Sequence, residues 1–213
     1  MQKLKLVLRH YNKIKPINCI LISGDTNKLF TVKFDDNDTH EAEIIKGDPV
    51  LIGLIKGEDD LQVNGGCVVG ATPEDDKYII VSNKVVQIPK NLDKREFERY
   101  PTSILADVKS METNIRETAC IKDISFSGMC IYSTGFYEVN DVVEVTLYFS
   151  NNVTKFDGTV MRKTITYGRN EYGIQIIHRD KNAMYATQTQ LASLIQSEKE
   201  LMYRHLLNAN FKI

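Results

Sequence analysis

Apolar and polar residues alternate in short runs over the first 88 positions, and polar turns separate these runs. Alternation with a period of two is typical of β-strands that bury one face. An all-β domain is therefore predicted here, and Asn64-Gly65-Gly66 predicts a tight turn within it. The predicted strands are Lys3–Leu8, Ile17–Ile22, Leu29–Phe34, Pro49–Ile55, Leu61–Val69 and Tyr78–Ser82, the last continuing into Val85–Ile88.

A second series of short strands follows residue 101, with turn residues between its members. Within this series, Val143, Val145, Leu147 and Phe149 recur at every second position and are predicted to line a core. Regularly spaced short strands with intervening turns indicate a barrel or a sandwich. The predicted strands are Ser103–Lys109, Glu117–Ile124, Gly128–Ser133, Asp141–Phe149, Lys155–Arg162 and Tyr172–Ile177.

A charged segment without strand alternation separates the two series. Pro89 and Pro101 stand near its ends, and this composition favours an interdomain linker. The chain is therefore predicted to have three parts. Residues 1–88 form an all-β companion domain, 89–101 form the linker, and 102–213 form a second all-β domain that ends in a helix.

The final part of the chain changes to a helical pattern. From Lys181 a helix of roughly 25 residues is predicted, because apolar residues recur there at helical spacing. The helix is expected to pack on its own barrel, and a homodimer through the helix is the alternative. The apolar stripe consists of Leu191, Ile195, Met202 and Leu206, widened by Met184, Leu194 and Leu201.

Charge and hydropathy count against several classes of protein. The net charge of −1 gives no general attraction for nucleic acids. No apolar run reaches the roughly 18 residues that a membrane helix needs. The amino-terminal segment has too short an apolar core for a signal peptide. A cytoplasmic protein is therefore expected.

Metal sites and catalysis are not predicted. The four cysteines (Cys19, Cys67, Cys120 and Cys130) lie far apart without a Cys-x-x-Cys pair, so buried reduced thiols are predicted. The acidic tract at 35–41 lacks the glycine and terminal glutamate of a calcium loop and is predicted as a solvated hairpin turn. Nucleophile-elbow, zinc-protease and phosphate-loop motifs do not occur in the sequence.

Two clusters carry the candidate chemistry: Arg95 with Arg99, and Asp123 with Ser125 and Gly128. Residues four apart share one side of a helix or a strand, so the two arginines can converge. Arginine suits phosphate oxygens and the O6/N7 edge of guanine, and a carboxylate accepts from the N–H groups on guanine's opposite edge. Gly128 admits another backbone or a flat ligand. The clusters together suit a small ligand that bears phosphate and guanine.

Each cluster also has a structural interpretation. The arginines could pair with Glu96 and Glu98 at the surface, as charged neighbours commonly do. Asp123 and Ser125 could be turn residues that bond to the backbone. The occurrence of both clusters in this order and at this separation favours the ligand interpretation.

Arg-x-x-x-Arg followed some two dozen residues later by Asp-x-Ser-x-x-Gly resembles the signature of the PilZ domain family. The resemblance implies a six-stranded antiparallel barrel and, as in many family members, binding of cyclic di-GMP. It implies that Arg95 and Arg99 clamp phosphate and guanine groups. It further implies that Asp123 engages a guanine edge or orients an arginine. Ser125 would bond to phosphate, and Gly128 would keep the surface open.

Three further residues are assigned by the same resemblance. Lys94 stands where many relatives have another basic residue, and it would add charge without the planar fork of arginine. Ser127 stands where some relatives have glycine, which narrows the space slightly. Arg162, at the end of a predicted strand, is a further candidate contact, and a solvated strand end is its alternative.

The order of the elements, with several strands, a charged linker and then the Arg motif, resembles the flagellar-brake type of PilZ protein. This resemblance implies two small antiparallel barrels, the first split-barrel-like, and a cyclic di-GMP receptor whose interdomain arrangement changes on binding. Motility or exopolysaccharide synthesis would be the output, through a protein partner such as the flagellar motor. The alternatives are a PilZ-like interaction module that binds no nucleotide and, third, a nucleic-acid binder.

Overall fold

The strands of this protein close into two separate barrels. The computed structural model describes residues 5–13, 15–34, 44–56, 60–72, 76–83, 97–149 and 152–208. Within them lie twelve strands and one helix. The chain forms two units: Met1–Lys94 with Glu198–Ile213, and Arg95–Ser197. Each unit contains one closed antiparallel barrel of six strands, which confirms the predicted fold class.

The first barrel has the strand order β1-β2-β3-β6-β5-β4, closed by antiparallel pairing of β1 with β4. Its core is apolar because alternate residues of each strand point inwards, as the period-two pattern predicts. Phe34 and Tyr78 stack within it, with ring centroids 4.2 Å apart. The strands are β1 (Lys5–His10), β2 (Ile17–Gly24), β3 (Leu29–Phe34), β4 (Pro49–Lys56), β5 (Asp60–Thr72) and β6 (Lys77–Ser82).

The turn predicted at Asn64-Gly65-Gly66 is wrong. Strand β5 runs straight through these residues, and all three pair with β4 in continuous register. A Cβ on Gly66 would lie 2.8 Å from Cδ1 of Ile52 and 3.0 Å from the carbonyl oxygen of Val81. The glycine therefore permits close packing inside the barrel, and β4 ends instead at Lys56.

The second barrel has the order β10-β11-β12-β9-β8-β7, closed by pairing of β7 with β10. Val143, Val145, Leu147 and Phe149 are all buried, as their alternation predicts. The strands are β7 (Tyr100–Ser110), β8 (Arg116–Ser125), β9 (Gly128–Ser133), β10 (Val142–Phe149), β11 (Asn152–Thr166) and β12 (Arg169–Ile176).

Strand β7 begins inside the segment predicted as a linker. Tyr100 pairs with Ile124, and Pro101 pairs with Asp123. The register then shifts before Ile104, which suits a proline because it lacks the N–H that a regular ladder requires. Residues 84–96 lie outside the described residues, and they contain the predicted strand continuation Val85–Ile88 and the first part of the predicted linker.

Helix α1 (Lys181–Asn208) begins where the sequence predicts, but its final part packs differently from the prediction. Met202 and Leu206 form an apolar cluster with Val7 and Leu51 of the first barrel, rather than packing on the second barrel. A Cβ on Gly53 would lie 2.6 Å from the methyl carbon of Met202, so this glycine makes room for the helix.

Polar contacts support the same docking. Arg9 lies 3.8 Å from Glu198, and both side chains are buried. Nε2 of His205 is 3.1 Å from Oδ1 of Asn18. The first unit therefore includes α1 from Glu198 onwards, whereas α1 up to Ser197 belongs to the second unit.

All four cysteines are free and buried, as predicted. The acidic tract at 35–41 lies outside the described residues. In the part of the chain that the structure describes, no cluster of His, Cys, Asp or Glu side chains has the arrangement of a metal site. No helix in that same part is both long and apolar enough to span a membrane.

Candidate functional site

Five residues of the second barrel are successive cross-strand partners. Pro101 pairs with Asp123, Asp123 with Cys130, Cys130 with Gly173, and Gly173 with Arg162. Directly paired residues direct their side chains to the same face of a sheet. The Arg162 side chain is 50% exposed and that of Asp123 is 20% exposed, so this face is the outer one. We call these five residues the charged row.

Register shifts surround the charged row. One lies between Ile121 and Asp123 on β8, and another lies between Val160 and Arg162 on β11. A bulge inserts one residue, bends the strand and re-aims the neighbouring side chains. The inserted residue on β8 is Lys122, and the side chains of Lys122 and Asp123 are both partly exposed, at 19% and 20%.

An ion pair joins the two sequence motifs. Nη1 of Arg99 donates to Oδ1 of Asp123 at 3.1 Å, across an interval of 24 residues. Arg99 precedes β7 by one residue, and Asp123 lies opposite Pro101 on β8. Burial raises the pKa of the Asp123 carboxyl above its ordinary value, while Arg99 and Lys122 act in the opposite direction. The contact therefore orients Arg99 beside a carboxylate whose ionisation is opposed by burial.

A pair of aromatic rings makes a second link between the motifs. Phe97 lies between the two arginines of the first motif, and Phe126 follows Ser125 in the second. Their ring centroids are 5.9 Å apart at an interplanar angle of 74°, an edge-to-face arrangement. The segment that carries Arg99 therefore contacts β8 and the adjoining turn through one charged and one aromatic contact.

Ser125 and Gly128 have structural roles in the turn between β8 and β9. Oγ of Ser125 donates to the carbonyl oxygen of Gly128 at 3.1 Å and lies 3.4 Å from Oγ of Ser127. A Cβ on Gly128 would lie 2.4 Å from the carbonyl oxygen of Ile174. The sequence predicts that Gly128 admits either another backbone or a flat ligand, and the structure shows the first of these.

Lys122 and Glu171 form a further charged group that the sequence analysis did not identify. Nζ of Lys122 donates to Oε2 of Glu171 at 2.9 Å, and Nη2 of Arg162 donates to Oε1 at 3.0 Å. Burial opposes ionisation of Glu171, but the hydrogen bond from Lys122 and the charges of Lys122 and Arg162 keep its pKa below the ordinary value. Burial acts to lower the pKa of Lys122, yet Tyr132 and Glu171 raise it overall.

The predicted site residues fall into three groups. Arg99, Asp123 and Arg162 lie on or beside the charged row. Ser125, Ser127 and Gly128 lie in or beside the adjoining turn. Arg95 and Lys94 lie outside the described residues. No sequence motif signalled Lys122 or Glu171, because a bulge and a partner 49 residues away bring them together.

The charges of this arrangement are suited to binding an anion. Arg99, Lys122 and Arg162 supply three cations, while Asp123 and Glu171 supply two carboxylates. Planar guanidinium groups match phosphate oxygens and the guanine edge, and a carboxylate matches the N–H groups of guanine. The fold and the site thus define a six-stranded antiparallel barrel whose outer face carries charged groups suited to a ligand with phosphate and guanine.

Comparison with protein families agrees with this class. Residues 93–196 match the model of the PilZ domain. Residues 93–196, which include both sequence motifs and the strands of the second barrel, are therefore a PilZ domain. No curated protein matches the chain.

Several solved structures are similar to the chain at low sequence identity. MrkH of K. pneumonia, in complex with c-di-GMP, is 13% identical with a TM-score of 0.43, and the match covers 93% of this chain and 90% of that one. YcgR of Escherichia coli, also in complex with c-di-GMP, is 13% identical with a TM-score of 0.42 and coverages of 92% and 86%. The inhibitor of motility MotI of Bacillus subtilis is 11% identical with a TM-score of 0.39 and coverages of 97% and 98%.

Proposed function

We propose that this protein is a receptor for cyclic di-GMP and not an enzyme. The observation that carries the proposal is the contact between Arg99 and Asp123, which unites the two PilZ motifs on one outer surface. A guanidinium and a carboxylate held side by side offer the donors and acceptors that guanine and phosphate require. The ligand class comes from the PilZ family, many of whose members bind this messenger.

Arg99 and Asp123 have complementary roles in this proposal. The contact with Asp123 engages Nη1 of Arg99, whereas a guanidinium has five N–H donors in all. Arg99 contacts phosphate or the guanine edge, with Arg95 and Lys94 adding donors from the same segment. Asp123 orients Arg99 and accepts from guanine, and Arg162 approaches from the opposite side of Asp123. Ser125 exchanges its hydrogen bond within the turn for a hydrogen bond to phosphate. Gly128 keeps the surface open, and Ser127 narrows the space slightly.

Binding is proposed to change the arrangement of the two units. The chain passes between the units twice, once before Arg95 and once within α1 after Ser197. A ligand that fixes the Arg95–Arg99 segment against Asp123 acts directly beside the first of these crossings. Such a change requires different affinities of the ligand for the two arrangements.

The proposed output is control of motility or exopolysaccharide synthesis from the cytoplasm, through a protein partner such as the flagellar motor. The homodimer through α1 stays a prediction. It needs residues other than Met202 and Leu206, because the first barrel already buries both. Sedimentation of the full chain with and without the messenger tests that prediction.

Calorimetric titration with cyclic di-GMP tests the receptor directly. Wild-type protein should bind, and Arg99→Ala should weaken binding by about ten- to a hundredfold, since a charge-assisted hydrogen bond contributes roughly 1.5–3 kcal/mol. Arg116→Ala is the matched control. Arg116 also contacts carboxylates on this barrel, Asp107 at 3.8 Å and Glu144 at 3.6 Å, but none in the charged row. A flat wild-type titration at high ligand would contradict the proposal.

Solution scattering tests the change of arrangement separately. The messenger should compact wild-type protein, and Arg99→Ala should lose binding and compaction together. Compaction that persists without binding would show that the Arg segment is not the link.

The alternative is a PilZ interaction module that binds no nucleotide. One observation favours it: Arg99, Lys122 and Arg162 each have a carboxylate partner within the domain. A self-satisfied surface of this kind can be stable without a ligand. The flat titration described above would support this alternative.

A further inference from the structure

Glu171 holds two cations of the candidate site at once. Its carboxylate accepts from Lys122 at 2.9 Å and from Arg162 at 3.0 Å, one oxygen for each partner. The Glu171 side chain is only 7% exposed, whereas Arg162 is 50% exposed. The carboxylate is thus a buried support, and the Arg162 guanidinium is the part that a ligand can reach.

Gly173 sets the path of the Arg162 side chain. A Cβ on Gly173 would lie 2.7 Å from Cγ and 2.9 Å from Nε of Arg162. The arginine stem therefore crosses strand β12 where the strand has no side chain. Its Nη2 then lies 3.7 Å from Sγ of Cys130 on β9.

This path places the guanidinium next to Asp123. Cys130 is the direct cross-strand partner of Asp123, and such partners have Cβ atoms about 4.5–5.5 Å apart. Arg99 contacts Asp123 from the side of β7, and Arg162 approaches from the side of β12. Two guanidiniums therefore flank one carboxylate.

We propose that Glu171 is a positioning residue for ligand recognition, which holds Arg162 across Gly173 so that a phosphate or guanine group meets arginines on both sides of Asp123. The inference rests on the proposed function and extends it to Glu171, Lys122 and Gly173, which lie outside the PilZ motifs. Glu171 does not touch the ligand. It acts through Arg162, with Lys122 completing its pairing.

A purely structural role for Glu171 makes a different prediction. A carboxylate that only stabilises the barrel would change the resistance to unfolding and leave affinity unchanged. A positioning residue instead loses its effect on affinity once Arg162 is removed. The two roles therefore separate in a double-mutant cycle of binding.

The experiment is calorimetric titration of cyclic di-GMP into wild type, Arg162→Ala, Glu171→Gln and the double variant, with circular dichroism to verify folding. Arg162→Ala should weaken binding about tenfold or more, and Glu171→Gln about threefold to tenfold. The double variant should bind no more weakly than Arg162→Ala alone. Gly173→Ala, which keeps every charge, should also weaken binding because its methyl group displaces the arginine.

Glu144→Gln is the matched control. Glu144 also joins an arginine and a lysine on this barrel, Arg116 at 3.6 Å and Lys155 at 3.2 Å, but lies off the charged row. Its affinity should stay within about twofold of wild type. Wild-type affinity in Arg162→Ala, or equal losses in Glu171→Gln and Glu144→Gln, would overturn the inference and leave the receptor standing. A flat wild-type titration would overturn both.

Discussion

The two barrels share one strand order, but they carry different residues at equivalent positions of their strands. Both run 1-2-3-6-5-4 around the ring when each is numbered from its own first strand. Both have register shifts between the second and third strands and between the fifth and sixth. Beside these shifts the second barrel carries Asp123, Cys130, Gly173 and Arg162.

The equivalent positions of the first barrel carry no charge. There the successive cross-strand partners are Ser23, Thr31, Ile79 and Gly70. The topology and its irregularities thus provide a position at which side chains can be displayed, and the residues decide whether that position can recognise a ligand. Any ligand recognition therefore depends on the residues of the charged row and not on the barrel topology.

The largest expected effect concerns the outer surface of the first barrel on which the final part of α1 packs. Met202→Ala should destabilise the protein by about 2–5 kcal/mol, because Met202 is fully buried against Val7 and Leu51. Urea unfolding measures the loss. Leu207→Ala is the control, since Leu207 is 48% exposed and should change stability by less than about 0.5 kcal/mol. Equal effects of the two substitutions would refute the docking of α1 on the first barrel.

The next prediction concerns the charged row. One of its charged residues is replaced by the uncharged residue type found at the equivalent position of the first barrel. Asp123→Ser places in the second barrel the residue type that Ser23 provides in the first. Affinity for cyclic di-GMP should fall about tenfold or more, because Arg99 loses its orienting carboxylate and guanine loses an acceptor. Calorimetry measures the loss, and circular dichroism should show an intact barrel. Unchanged affinity would mean that the charge in the row does not distinguish the barrels.

A smaller effect should come from the aromatic link, which has no charged component. Phe126→Ala removes the edge-to-face contact with Phe97, and such pairs contribute about 0.5–1.5 kcal/mol. Affinity for the messenger should therefore fall about twofold to tenfold if the pair holds the Arg segment in place. Phe136→Ala is the control because Phe136 is 84% exposed. A loss of the same size in both variants would exclude a specific role for the pair.

The smallest effect is a gain in stability at neutral pH. Burial raises the pKa of Asp123, so its ionised form is less favourable in the folded barrel than in the unfolded chain. This destabilisation is complete above the folded pKa and is lost as the pH falls from there to the ordinary pKa of the unfolded carboxyl. Asp123→Asn should therefore raise the melting temperature slightly at pH 7 while it weakens binding. A lower melting temperature would show that the ion pair with Arg99 outweighs the cost of burial.

Strand positions could be read from the sequence, since they depend on local pattern. Among the described residues, alternation located the strands and helical spacing located α1 within a few residues of their observed ends, apart from the turn wrongly predicted inside β5. The separation of the two motifs indicated that Arg99 and Asp123 belong to one site, and their 3.1 Å contact agrees with that interpretation. Periodicity reports which face of an element is buried, and this information is contained in a short window of sequence.

Register, bulges and long-range partners depended on the tertiary structure. Gly65-Gly66 has the composition of a turn, but pairing with β4 keeps it in a strand. Lys122 reaches the outer surface because of a bulge, and Glu171 joins it from another strand. Helical spacing predicts that Met202 is buried, but only the space beside Gly53 shows that it packs on the first barrel. In each case the deciding neighbour is distant in sequence, so no local pattern could identify it.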